Sequence, residues 1–424
     1  MNNSKKYKLC DMLFCLSEAI DLISPRLNCH HQKVAYLSYR LAQKIGMTEK
    51  EQRNILLQGL MHDVGALSLD ERLSLLEEEP GMTSSHAFRG GKLLSGCLPL
   101  QSLADGVRYH HIPWNNGQGR YFNNHPVPME SHILHLADRV CASFPNTPNI
   151  LADTGAVLSK IKLQENVFFA PEIVSALYEL EAKEHIWLEL ADVAPLRLLP
   201  EAAIDDSKIG LDSVLSIAKI FSHVIDFRSH FTATHSAGVA HIAEKLAEQA
   251  GMDHEERKKI LIAGYLHDLG KLAVQGSILE KPGKLDYREF SEIRSHSFYT
   301  YKLLNMIGGF STINQWASLH HEKLDGSGYP FHMKAEQLSL GSRIMTVSDI
   351  FNAITENRPY RKGMEKNEII GIIKGMSDDG LICPYVANIL LEDIDFFSSL
   401  SKATQKLAAD DYDKFFRDDD KIAI

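Results

Sequence analysis

Two short stretches carry the same pair of titratable residues, His62-Asp63 in LMHDVGAL and His267-Asp268 in YLHDLGKL. An imidazole beside a carboxylate can hold a divalent cation. One such pair means little, because this composition yields about one by chance and a lone histidine in an apolar segment is more often a satisfied core residue. Order gives the pairs weight. His30 lies 32 residues before His62 and His235 lies 32 before His267, while Asp21 and Asp226 each stand nine before those first histidines. His86 in SSHAFRGGKLL answers His296 in RSHSFYTYKLL, and a double histidine follows each after 24 residues, at His110-His111 and His320-His321. Asp138 in HLADRVCA answers Asp349 in TVSDIFNA.

The second set is thus His235, His267, Asp268, His296, His320, His321 and Asp349; the first is His30, His62, Asp63, His86, His110, His111 and Asp138. Ten of the chain's twenty histidines fall into them. Burying so many titratable groups is costly unless something satisfies them, and a pair of divalent cations does so. Adjacent helical residues diverge by about 100°, so His320 and His321 can fan around one ion while Asp268 offers two oxygens to bridge a second. Nitrogen and oxygen donors without thiolate favour Fe, Mn, Ni or Zn over Ca or Mg.

The elements that must position these residues read as helices. In SAGVAHIAEKLAEQAG, Val239, Ile242, Leu246 and Ala250 recur at three and four residues before the stop signal Gly251; Val34, Leu37, Leu41 and Ile45 do the same before Gly46. Long alternating segments suited to a sheet are absent. The expected fold is all-α, two tandem helical bundles related by internal duplication, spanning 1–204 and 205–424 with a break near LPEAAIDDSKIG. LAADDYDKFFRDDDKIAI reads as an acidic, solvated end or a short docking helix.

Composition narrows the functional classes. A chain of 424 residues, 44% apolar, can fill two cores. A net charge of −10 disfavours broad binding of polymeric nucleic acid, and no uncharged apolar run reaches membrane length. Six cysteines without a CxxC pair fit a cytoplasmic setting.

HDLGK, the spaced His296, HHEKLDGSGYP and SDIFNAITENRPYR together resemble an HD-GYP phosphodiesterase domain of the HD metal-hydrolase superfamily, over about Leu211 to Leu390. The resemblance implies hydrolysis of a cyclic dinucleotide to a linear 5′-phosphorylated product at a centre of divalent metal ions, Fe or Mn ahead of Ni or Zn. The tandem layout is similar to members acting on 3′3′-cGAMP, which places that substrate ahead of c-di-GMP. By the same resemblance Asp268 and Lys271 are catalytic, with Lys271 aimed at the scissile phosphate, where a compact cation stabilises developing charge. Arg358 and Arg361 match positions that contact the dinucleotide. Asp325 reads as a partner orienting a ligating histidine, and Gly326 and Gly328 let the backbone turn beside the ligand. Lys281 and Lys284 are weaker candidates; Tyr329, Phe331 and Tyr360 could stack a base. Members with a third metal carry Glu four residues before the first histidine. Phe231 stands there, so two ions are expected.

The first copy keeps every ligand type but has Ala66 where the second has Lys271, HHIPWNNGQGR for the GYP stretch, no paired arginines after Asp138, and Arg26 in the place of Phe231. Structural partner, homodimer face and regulatory domain are the roles this leaves for it, independent catalysis coming last. Competing readings for the whole chain are a dinucleotide receptor without turnover and another HD-superfamily nucleotide phosphohydrolase.

Overall fold

The computed structural model of the chain describes residues 6–22, 24, 27, 29–77, 85–144, 149–204, 207–226, 234–279, 281, 283–356 and 362–417. Helices dominate, and the sheets among the described residues are two-stranded. None of the described helices is long and apolar enough to cross a membrane. The chain forms two compact units, one from Lys8 to Lys208 and one from Ile209 to Arg417 that also takes in Lys6 and Tyr7. The division lies a few residues beyond position 204, because Ser207 still accepts a hydrogen bond from Leu9 at 3.0 Å. Tyr7 instead packs edge-on against Phe310, ring centroids 5.3 Å apart.

In the first unit the site is carried by α1 (Leu9–Asp21), α2 (His30–Lys44), α3 (Glu49–Met61), α4 (Ser85–Ser95), α5 (Ala104–Arg108) and α6 (Met129–Ser143). A two-residue hairpin, β1 (Tyr121–Phe122) with β2 (His125–Pro126), follows α5. In the second unit the counterparts are α7 (Leu211–Asp226), α8 (His235–Gln249), α9 (His254–Leu266), α10 (Tyr287–Leu304), α11 (Ser311–Ser318) and α12 (Leu340–Thr355).

Local chemistry starts these helices in matching ways. Thr48 and Glu51 form a capping box on α3, and Asp253 and Glu256 form one on α9, each satisfying backbone N–H groups the first turn leaves open. The apolar stripes then turn inward: Val34, Leu37 and Leu41 of α2 and Val239, Ile242 and Leu246 of α8 are fully buried. Each such side chain stabilises the fold by about 1.5–3 kcal/mol, which anchors the two helices that begin with His30 and His235.

The C-terminal stretch is helical to Arg417, as α13 (Ile394–Arg417), and its last turns are largely exposed apart from the buried Phe415. Ser401 and Gln405 on this helix donate to Asn352 Oδ1 at 3.3 and 3.2 Å.

Candidate active site

The second unit gathers the seven residues of its set. His235 opens α8, His267 and Asp268 directly follow α9, His296 lies within α10, His320 and His321 follow α11, and Asp349 lies within α12. Asp268 stands at the middle: Oδ2 is 3.2 Å from His267 Nε2 and 3.6 Å from His235 Nε2, and Oδ1 is 3.5 Å from His296 Nε2. Asp349 closes the ring, with Oδ1 3.3 Å from His235 Nε2 and Oδ2 3.7 Å from His321 Nδ1. Donor atoms fall into two groups, His235 with His267 and Asp268, and His296 with His320 and His321, each within 4.8 Å.

Backbone carbonyls orient the rings. Nδ1 of His267, His296 and His320 lies 2.8, 2.6 and 2.6 Å from the carbonyl oxygens of Gly264, Ile293 and Ala317. A carbonyl only accepts, so each Nδ1 carries the proton and each Nε2 turns a lone pair inward. The Nε2 atoms of His296 and His320 then face each other 3.2 Å apart. Two opposed lone pairs repel unless a cation lies among them, so the donor set fits divalent metal ions. Burial pushes His296 down to about 3 and His321 to about 4, and holds His320 well below the usual range, which keeps them neutral as ligands must be. Burial opposes charge on His235 too, but hydrogen bonds to Asp349 and Glu356 outweigh it and push this residue up to about 10.

Glycine lets the motif assemble. A Cβ on Gly270 would lie 1.9 Å from the His296 carbonyl oxygen, and one on Gly65 would lie 2.2 Å from that of His86. Only a residue without a side chain allows the turn after each His-Asp pair to press against the helix carrying the next histidine. Lys271 follows at once and sets its ammonium 2.5 Å from Asp268 Oδ2. Burial disfavours the charged ammonium, yet Asp268 more than compensates and raises its pKa.

The first unit repeats the ligand arrangement. Asp63, His86, His110 and His111 bring four donor atoms within 4.8 Å, and His30, His62 and Asp63 form an adjoining group. Both ring nitrogens of His111 are buried without a hydrogen-bond partner, a cost of about 1–3 kcal/mol for each such group unless a ligand satisfies it. The paired Asp21 and Asp226 brace the residue after each first histidine. Asp21 lies 2.6 Å from His31 Nδ1, and Asp226 accepts from Ser236 and Ser222 at 3.0 Å.

The HD-domain family model matches residues 29–143 and again 219–384. The 3′3′-cGAMP-specific phosphodiesterase 1 of Vibrio cholerae is 32% identical over 400 residues, 92% of this chain and 93% of the relative. The chain belongs to the tandem HD-domain cyclic-dinucleotide phosphodiesterase family. The V. cholerae 3′3′-cGAMP-specific phosphodiesterase 3 is 31% identical over 69% of this chain and 63% of its own length. A cyclic di-GMP phosphodiesterase of Pseudomonas aeruginosa is 40% identical over 141 residues, 33% of this chain and 34% of the relative. Among solved structures, a cyclic GMP-AMP specific phosphodiesterase of V. cholerae superimposes with a TM-score of 0.62 at 21% identity, over 95% of this chain and 99% of that one. That likeness is one of fold. HD domains are metal-dependent hydrolases, and each of the two matched regions of this chain carries a His/Asp cluster.

Around the second cluster, Asp325 departs from expectation. Asp325 is exposed and accepts from the Ser327 backbone at 2.9 Å; it caps the turn and orients no histidine. Glu322, buried, holds the stretch instead by accepting from the N–H groups of Phe331 and Met333 at 2.7 and 3.0 Å. Gly328 packs where a Cβ would lie 2.4 Å from the Lys323 nitrogen. Tyr329 lies on His321, centroids 4.8 Å apart, with the Arg294 guanidinium 4.8 Å from its ring. Phe331 packs against Tyr301 at 5.1 Å. Lys281 is paired with Glu289 at 2.6 Å, and Lys284 is exposed. Arg358, Arg361, Tyr360, Phe231 and Arg26 lie outside the described residues.

One partner escaped the sequence reading altogether. Glu356 Oε2 is 3.4 Å from His235 Nδ1, and its Oε1 accepts from Thr234 at 2.8 Å. The corresponding place in the first unit is held by Pro145, which has no carboxylate. A lone glutamate in TENRPYRKG gives no signal that it will meet a residue 121 positions away.

Proposed function

We propose that the second unit opens a cyclic dinucleotide, 3′3′-cGAMP ahead of c-di-GMP, to a linear dinucleotide ending in a 5′-phosphate. The single observation that carries this reading is the Lys271 ammonium beside Asp268 at a cluster of five histidines. The first unit has the cluster and lacks the cation, since Ala66 stands in its place. Names of the relatives, which include two enzymes specific for 3′3′-cGAMP, support the substrate order.

Two divalent transition-metal ions, Fe or Mn ahead of Ni or Zn, would be held by His235, His267, Asp268 and Asp349 on one side and by Asp268, His296, His320 and His321 on the other. When bound, they supply Lewis acidity and a water acidified for attack on phosphorus. The chain's own residues do the rest. Asp268 gives one oxygen to each side, and Lys271 neutralises charge growing on the phosphoryl oxygens. Tyr329, held between His321 and Arg294, walls the site where a base or ribose would lie. Gly328 keeps that wall close, and Arg358 and Arg361 would grip the second phosphate. Asp325 keeps only the role of shaping the turn. The six cysteines, none of them disulfide-bonded, suit a reducing cytoplasm.

The test is chromatographic turnover of 3′3′-cGAMP and c-di-GMP by metal-loaded full-length protein, beside His267→Ala/Asp268→Ala and His62→Ala/Asp63→Ala variants. Loss in the first variant alone supports catalysis in the second unit. Partial loss in the second variant, with folding intact, shows that the first unit modulates turnover. Binding of either dinucleotide without turnover in any protein would replace the enzyme with a receptor, and cleavage of mononucleotides instead would point to another phosphohydrolase.

A further inference from the structure

The two halves of the first unit's cluster differ in a way the second unit's do not. On the side of His30 and His62, Asp138 is already engaged: Oδ1 lies 3.0 Å from His30 Nε2, and Oδ2 accepts from Arg139 Nη2 and Nε at 2.7 and 3.1 Å. Arg139 is buried and anchored by a 2.6 Å hydrogen bond to the Leu75 carbonyl. Its counterpart after Asp349 is Ile350, which carries no charge. A fixed guanidinium therefore already supplies positive charge on this side, and an ion placed here would meet a buried cation.

The other half is complete. Asp63, His86, His110 and His111 are all buried, no more than 6% exposed, and their four donor atoms lie within 4.8 Å of one another. Nδ1 of His110 is spent on the Val107 carbonyl at 2.6 Å, which leaves Nε2 for a ligand. His111 offers two buried nitrogens without a hydrogen-bond partner. Four nitrogen and oxygen donors with no exposed position are the make-up of a closed tetrahedral site rather than one that leaves a place for water or substrate. In the second unit the matching His321 side chain is 28% exposed, so that half stays open.

We propose that the first unit binds a single divalent ion, zinc by the closed four-donor arrangement, in a structural site of Asp63, His86, His110 and His111, with Arg139 standing in for a second ion. The site fastens the turn after α3, helix α4 and the turn after α5 to one another. It takes no substrate and performs no chemistry.

Metal content and spectrum of the full-length protein test this without reference to turnover. Dialysed protein should hold three ions per chain, and cobalt(II) substitution should show the intense visible absorption of a tetrahedral site beside weaker bands. His111→Gln should remove one ion and the intense absorption and lower the melting temperature, whereas His321→Gln should leave that absorption intact. Arg139→Leu should retain the ion. An unchanged ion count in His111→Gln, or loss of two ions, overturns the proposal. If His111→Gln fails to fold, the wild-type protein decides: three ions with the tetrahedral absorption support the site, and two ions or no such absorption overturn it.

Discussion

Lys271 stands three residues beyond Asp268 on a single 3-10 turn, and the two side chains meet at 2.5 Å. The ammonium is held by a carboxylate that the metal ions would share, which on the proposed reading leaves it to neutralise a phosphoryl group without being a ligand. Lys271→Ala is therefore expected to lower kcat by about 100- to 1000-fold while the ion count stays unchanged. Steady-state kinetics paired with metal analysis checks this. A rise in KM with kcat preserved would assign Lys271 to ground-state binding instead.

Glu356 bears on His235 from the side away from Asp268. A carboxylate on the outer nitrogen fixes the ring and makes the inner one a better donor, and removing such partners weakens metal binding by about 10- to 100-fold. Glu356→Gln should show that loss in a chelator competition. Equal affinity in wild type and variant would make the contact mere packing.

The loop around Tyr329 separates two acidic residues by role. Glu322→Ala leaves two backbone N–H groups without their acceptor and releases the Tyr329 wall, so KM for the dinucleotide should rise at least about tenfold, the effect of losing about 1.4 kcal/mol. Asp325→Asn should stay within about 0.5 kcal/mol in stability, as exposed changes usually do, and leave KM alone. A reversed order would return Asp325 to the site.

Acid sensitivity of the metal-free protein follows from its buried imidazoles. Burial pushes His132 down to about 4, and its ring sits edge-on to Trp114 at 5.2 Å. The unfolded ring takes up its proton near 6.5, so between about 6.5 and 4 the unfolded state binds more protons, and stability falls as pH drops through that window. At pH 5 the loss is about 2 kcal/mol for this one residue. His132→Phe should remove that part of the difference between denaturant melts at pH 7 and pH 5. An identical pH dependence in both proteins would refute it.

The two His/Asp clusters were legible because their spacing is written twice, and their helices because apolar residues keep a period near 3.6. What the sequence hid is contact across distance. Arg139 in HLADRVCA looks like an ordinary helix-surface charge, and only the fold buries it against the Leu75 carbonyl, 64 residues away. Asp325 was legible in two ways: DGSG is strong turn chemistry as well as a site signature, and the Asx-type hydrogen bond to Ser327 won. Residues 357–361 are not among those described, so the paired arginines remain an expectation carried by sequence.

Gly270 and Lys271 are neighbours with separable duties. The glycine joins a turn to a helix; the lysine, on the proposed reading, would face the phosphate. In the first unit Gly65 keeps the joint while Ala66 gives up the cation. If Lys271 has the proposed role, a copy can lose its reaction and go on assembling, and the His-Asp-x-Gly pattern then counts folded copies and not working ones.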